Sequence, residues 1–200
     1  MVKKFILTTI LALLPLIFVQ GGLKPGDPAP PFYLKSVDGT FVSLSDYNNQ
    51  KGVILVFTSN LCPFSKAYEQ RIIKLHRRFS SAGFPVVAIN SNSLEISPDD
   101  SLSQMKQLSD EKNYPFPYLK DENQEVCKAY GATRNPQVYL LEKSSSGFKI
   151  AYIGAIDNNS LDSSAVSDPY VDNAIIALLQ GTRPATATTR PIGCIIKTTD

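Results

Sequence analysis

One stretch constrains this chain more than any other: Gly52 to Arg71, reading GVILVFTSNLCPFSKAYEQR. Val53 to Phe57 is a run of β-branched and apolar residues suited to a central strand, and Thr58-Ser59-Asn60 breaks it with a polar turn. Cys62-Pro63 then opens a helical pattern, because proline is at home in the first turn of a helix. The predicted product is a strand that ends in a thiol at a helix N-terminus. Unpaired N–H groups and the positive end of the helix dipole favour thiolate over thiol there, which makes Cys62 a candidate nucleophile for redox chemistry.

The pattern continues in the same sense. From Pro63 to Phe79 the apolar residues Phe64, Tyr68, Ile72, Ile73, Leu75 and Phe79 share one side, with Lys66, Glu69, Lys74, Arg77 and Arg78 on the other. That periodicity predicts an amphipathic helix. Ser80-Ser-Ala-Gly ends it, and Phe84 to Asn90 is apolar without alternation, as a parallel strand covered on both faces is. Strand, helix and strand imply a right-handed crossover.

Other elements flank this unit. Two extended runs about Asp38-Gly39, from Phe32 to Val37 and from Thr40 to Leu44, predict an N-terminal β-hairpin. Pro98-Asp-Asp-Ser supplies caps for a helix over 101–112, and a further helix is predicted from Asp121 to a Gly131 stop. Gln137 to Leu141 and Phe148 to Ile153 read as an antiparallel pair, and Val171 to Leu179 as a last helix. Asn90 and Asn92 are assigned no chemistry, and His76 is expected on the exposed face of its helix.

With 200 residues and 43% hydrophobic content, one domain with a substantial core is expected. Residues 1–21, a Lys3-Lys4 start followed by an apolar run from Phe5 to Val19, read as a signal peptide. The divisions are leader 1–21, domain 22–182 and a Thr/Pro-rich tail 183–200, and the predicted location is exported, periplasmic or secreted. Only an uncleaved leader would join the chain to a membrane. Twenty basic residues against 18 acidic become 18 against 18 once Lys3 and Lys4 leave, so no nucleic-acid partner is expected. Three cysteines, Cys62, Cys127 and Cys194, match no zinc spacing and have a single histidine beside them, so neither a metal nor another cofactor is expected.

Several collinear segments resemble the thioredoxin-like redoxins of the alkyl hydroperoxide reductase / thiol-specific antioxidant family. They are Gly26-Asp-Pro-Ala-Pro-Pro-Phe, Val56-Phe-Thr-Ser-Asn-Leu-Cys-Pro-Phe, Val87-Ala-Ile-Asn-Ser-Asn, Tyr114-Pro-Phe-Pro-Tyr-Leu, Lys128-Ala-Tyr-Gly-Ala-Thr-Arg-Asn-Pro and Ile192-Gly-Cys. The resemblance implies an α/β thioredoxin-like fold, a central mixed β-sheet flanked by helices, with a cis proline at Pro136 facing the helix that bears Cys62. This chain has Ser59 where Cys-x-x-Cys members carry their first cysteine, so resolution within the turn is impossible. What is left resembles the peroxiredoxin arrangement, which implies Ser59 hydrogen-bonding the thiolate, Arg134 holding it ionised, and Cys127 or Cys194 as resolving thiol.

Within the helix Cys127 also suits plain core packing, whereas Cys194 follows Gly193 in a tail of mobile character, suited to a thiol that must travel. The implied substrate is a peroxide or a protein disulfide, with a thiol reductant protein as partner. The rival reading is a redox-inactive module that holds an extended peptide between Cys62 and the Asn135-Pro136 groove. A monothiol disulfide reductase is a third reading.

Overall fold

The computed structural model describes residues 22–199, and the leader reading of residues 1–21 lies outside them. The predicted hairpin forms β1 (Tyr33–Ser36) and β2 (Phe41–Ser43), and the predicted β-α-β unit forms β3 (Gly52–Phe57), α1 (Pro63–Phe79) and β4 (Val86–Asn90). Then come α2 (Leu102–Lys112), β5 (Tyr118–Lys120), α3 (Glu125–Tyr130), β6 (Arg134–Asn135), β7 (Gln137–Ser144), β8 (Gly147–Gly154), α4 (Tyr170–Leu179) and β9 (Cys194–Ile195).

Seven strands make one mixed sheet in the order β2-β1-β5-β4-β3-β7-β8, while β6 and β9 pair apart from it. β3 runs parallel to β4 and antiparallel to β7, and all six of its residues are buried. Its side chains alternate between two cores. Ile54 and Val56 face Tyr68, Ile72 and Phe79 of α1 and Val171 and Ile175 of α4, whereas Val53, Leu55 and Phe57 face Val126 and Tyr130 of α3. This α/β sandwich is the thioredoxin-like architecture that the sequence implies. Leu55 is fully buried in it, so its truncation to alanine would cost about 3 kcal/mol.

Three local expectations are corrected. α3 begins at Glu125 rather than at Asp121, because Gln124 takes a left-handed conformation (φ 61°). Asp121 stays outside the helix and accepts hydrogen bonds from the amides of Val126 (3.3 Å) and Cys127 (2.8 Å). His76 is half-buried rather than exposed, and its Nδ1 accepts the Val86 amide at the start of β4 (3.2 Å). The tail does not hang free: the Thr189 amide donates to the Ile153 carbonyl, the Ile153 amide donates to the Ala187 carbonyl, and β9 locks residues 194–195 onto β6. Among the described residues, no helix is long and apolar enough to cross a membrane.

Candidate active site

Cys62 is the N-cap residue of α1, with extended backbone (φ −64°, ψ 122°), and Pro63 follows as the first helical residue. The helix therefore starts directly beneath the sulfur. Cys62 is 5% exposed, and its Sγ is bonded to Sγ of Cys194 across a Cα–Cα distance of 6.0 Å, an ordinary span for a disulfide. The sequence separation is 132 residues, so chain spacing alone gave no hint of the pairing.

Asn135 and Pro136 lie beside this bond. Their peptide is cis, and the Asn135 carbonyl oxygen is 3.0 Å from Cys62 Sγ. Cys194 pairs with Asn135, and Ile195 with Arg134, in the antiparallel ladder of β6 and β9. Gly193 passes so close that a Cβ added there would run into the Asn135 carbonyl and the Pro136 nitrogen. Only glycine permits that approach.

Neither the Ser59 nor the Arg134 side chain makes a hydrogen bond to a sulfur of this disulfide. Ser59 is buried in the turn before Cys62, where its amide donates to Ser65 Oγ (3.4 Å), but its hydroxyl makes no hydrogen bond to the sulfur. Arg134 is half-buried, and its guanidinium has no hydrogen bond or ion pair among the described residues. The well-held arginine of α1 is Arg71, stacked over Tyr68 and paired with the buried Asp157 at 2.7 Å, which ties the loop after β8 to the helix. A cavity of about 610 Å³ opens beside Arg71, Lys74 and Arg77 and includes neither sulfur.

The two candidate resolving thiols separate cleanly. Cys194 is half-exposed and bonded to Cys62, whereas Cys127 is free, 2% exposed, and donates its S–H to the Ala132 carbonyl (3.3 Å). Burial, reinforced by the Asp121 carboxylate, pushes the Cys127 thiol up to about 12.

Sequence reasoning missed what holds the site in place. Asp100 is fully buried and accepts hydrogen bonds from the Asn60 amide (2.8 Å), Asn90 Nδ2 (2.7 Å), Asn92 Nδ2 (2.8 Å) and Ser97 Oγ (2.7 Å). Burial alone would raise its carboxyl, but these four donors outweigh it and hold the group below the usual carboxylate range. Asn92 Oδ1 in turn accepts from Asn135 Nδ2 (3.1 Å) and from the Lys197 amide (2.9 Å). One polar lattice thus joins the turn before Cys62, the loop before Pro136 and the end of the tail. Ser101 does cap α2 as predicted, but Asp100 points inward instead. The Asn-rich run Asn90-Ser-Asn92 was the available signal, since buried amides at a strand end need partners.

Comparison with known proteins bears on the family and the fold. A Mycobacterium tuberculosis protein assigned by name to the peroxiredoxins is 32% identical over 117 residues, 58% of this chain and 69% of its own length. The thiol-disulfide oxidoreductase ResA of Bacillus subtilis is 26% identical over 130 residues, 64% of this chain and 67% of that one. The crystal structure of an uncharacterized conserved protein from Geobacillus kaustophilus superposes with a TM-score of 0.81 at 37% identity, covering 88% of this chain and 92% of that one. Residues 25–148, which span the hairpin, Cys62, Cys127 and Pro136, match the AhpC/TSA family, and the chain belongs to that family.

Proposed function

We propose that this thiol-dependent oxidoreductase works by a two-cysteine cycle in which Cys62 is the nucleophile and Cys194 the resolving thiol. The observation that carries it is the bond between a helix-start sulfur and a sulfur presented by the tail. Loss of the usual first cysteine at Ser59 is then no obstacle, because the second sulfur comes from β9.

With a peroxide, the Cys62 thiolate attacks one oxygen, the O–O bond breaks, and the alkoxide or hydroxide leaves and takes a proton. Cys194 then attacks the sulfenic sulfur, water departs, and the disulfide forms. With a protein disulfide, Cys62 forms a mixed disulfide that Cys194 resolves. A thiol reductant protein returns both sulfurs to the reduced state. In the reduced protein the N-terminus of α1 stabilises the Cys62 thiolate.

The test is thiol loss on mixing reduced protein with hydrogen peroxide or with a disulfide-bonded protein, followed by mass spectrometry of a digest. The expected result is one oxidant per Cys62–Cys194 bond, with Cys194→Ser stopping at a sulfenic acid or a stable mixed disulfide. The redox-inactive reading prevails if Cys62 reacts no faster than free cysteine and Cys62→Ser changes nothing. Export belongs to the same proposal, supported by the basic start and apolar run of residues 1–21. Cell fractionation with sequencing of the mature N-terminus tests it.

A further inference from the structure

The tail binds its groove in the manner of an extended polypeptide. β9 pairs antiparallel with Arg134-Asn135, the Ile196 amide donates to the Thr133 carbonyl (3.1 Å), and the Lys197 carbonyl accepts from the Ser93 amide (2.8 Å) and Gln124 Nε2 (2.8 Å). These contacts are mostly to main chain and would serve any extended segment. Two positions discriminate between side chains. Gly193 faces the Asn135 carbonyl with no room for a Cβ, and Ile196 is buried against the α3 side of the sheet. Ile192 and Ile195, which flank these positions, stay exposed, so the strip ignores them.

We propose that residues 193–197 are a tethered occupant of a polypeptide-binding strip, which in the reduced protein receives a segment of another polypeptide of pattern Gly-Cys-x-(large apolar). This rests on the two-cysteine cycle above and names the class of its disulfide substrate. Cys62 thiolate attacks the incoming cysteine sulfur, a Cys62–substrate bond forms, and the other sulfur of the substrate disulfide leaves as thiolate. Cys194 thiolate then attacks Cys62 Sγ and expels the incoming cysteine as thiolate. Two electrons pass from the Cys62/Cys194 dithiol to the substrate disulfide. Because β9 and the substrate segment need the same strip, the strand that resolves the mixed disulfide also displaces the product.

The probe is an eight-residue peptide matching residues 190–197, RPIGCIIK, with thionitrobenzoate disulfide-bonded to its cysteine. It is added to the full chain bearing Cys194→Ser, and thionitrobenzoate release and the mass of the Cys62 adduct are followed. A second peptide has valine for glycine, and a third has aspartate at the position of Ile196. The glycine peptide should react roughly tenfold or more faster than either, because a side chain forced against fixed backbone, or a charge forced into an apolar site, costs that much. Adding Gly193→Val to the Cys194→Ser chain should speed the glycine peptide further, since the chain's own tail then no longer competes. Equal rates for the glycine and valine peptides, or no gain from Gly193→Val, overturn the proposal. Thionitrobenzoate-capped free cysteine is the control for Cys62 itself. An inert Cys62 would overturn both this proposal and the cycle it rests on, whereas a reactive Cys62 that ignores the glycine overturns this one alone.

Discussion

Cys62 and Cys127 make an instructive pair. Both are buried, at 5% and 2% exposure, and both sulfurs lie near a backbone carbonyl, Asn135 at 3.0 Å and Ala132 at 3.3 Å. They differ in the field around them. Cys62 precedes the first turn of the 17-residue α1 and meets a second sulfur, while Cys127 sits inside α3 with the Asp121 carboxylate on its own amide. Burial by itself therefore says little about a thiol. The nearby charge, the helix end and the presence of a partner decide between redox chemistry and packing.

The widest gap between the two is in turnover. Cys62→Ser should lower peroxide or disulfide reduction at least about a thousandfold, the usual consequence of losing a nucleophile. Cys127→Ala should leave the rate within about twofold, and comparable losses for both would end the distinction. Chemical labelling gives a second measure. With its thiol pushed up to about 12, Cys127 in the folded, reduced protein should alkylate at pH 8 about a thousandfold more slowly than in the unfolded chain, because thiolate is the reacting form. Mass spectrometry after an iodoacetamide pulse reads this directly, and fast labelling of Cys127 would refute the burial account.

The scaffold around Cys62 yields a smaller effect. Asp100→Asn places an amide donor among four groups that already donate, so about 2–3 kcal/mol of stability should be lost in denaturant titration at pH 7. The wild-type carboxyl is held below its ordinary value, so its contribution is complete above the unfolded carboxyl range, near pH 4, and is lost as pH falls below it. The two proteins should accordingly converge in stability on acidification. A constant gap from pH 7 to pH 3 would show that Asp100 acts only through shape.

Much of the fold was legible because its signals are local. Val53 to Phe57, the amphipathic face of 63–79 and the apolar run ending at Asn90 declare strand, helix and strand within their own windows, and Cys62-Pro63 marks the helix start. The site was legible only as far as local signals reach. Asp100 looked like a cap because Ser101 beside it is one, yet its partners include Asn60, 40 residues away. A Thr/Pro-rich tail has the composition of mobile chain, and it is fixed by main-chain hydrogen bonds that leave no mark in composition. Gly193 before Cys194 was the one available sign, a small residue where two backbones touch. The start of α3 was misread for the same reason, since Asp121 caps it across a left-handed Gln124.

His76 carries the same lesson at the far end of α1, where a polar group again depends on a partner outside its own helix. Its Nδ1 accepts the Val86 amide, and burial lowers its affinity for a proton, so the folded state prefers the neutral ring. A depressed folded pKa means that this contribution is fully present above the unfolded value, about 6.5, and is lost as pH falls through the folded one. Between pH 7.5 and pH 5 the wild type should therefore lose stability that His76→Asn, whose Oδ1 can still accept the amide, retains. The difference should be at most about 1 kcal/mol, since a single hydrogen bond at a half-buried ring is partly replaced by solvent. Parallel pH profiles would show that His76 is not the titrating contact at the start of β4, and would leave Asp100 as the acid-sensitive contact of the pair.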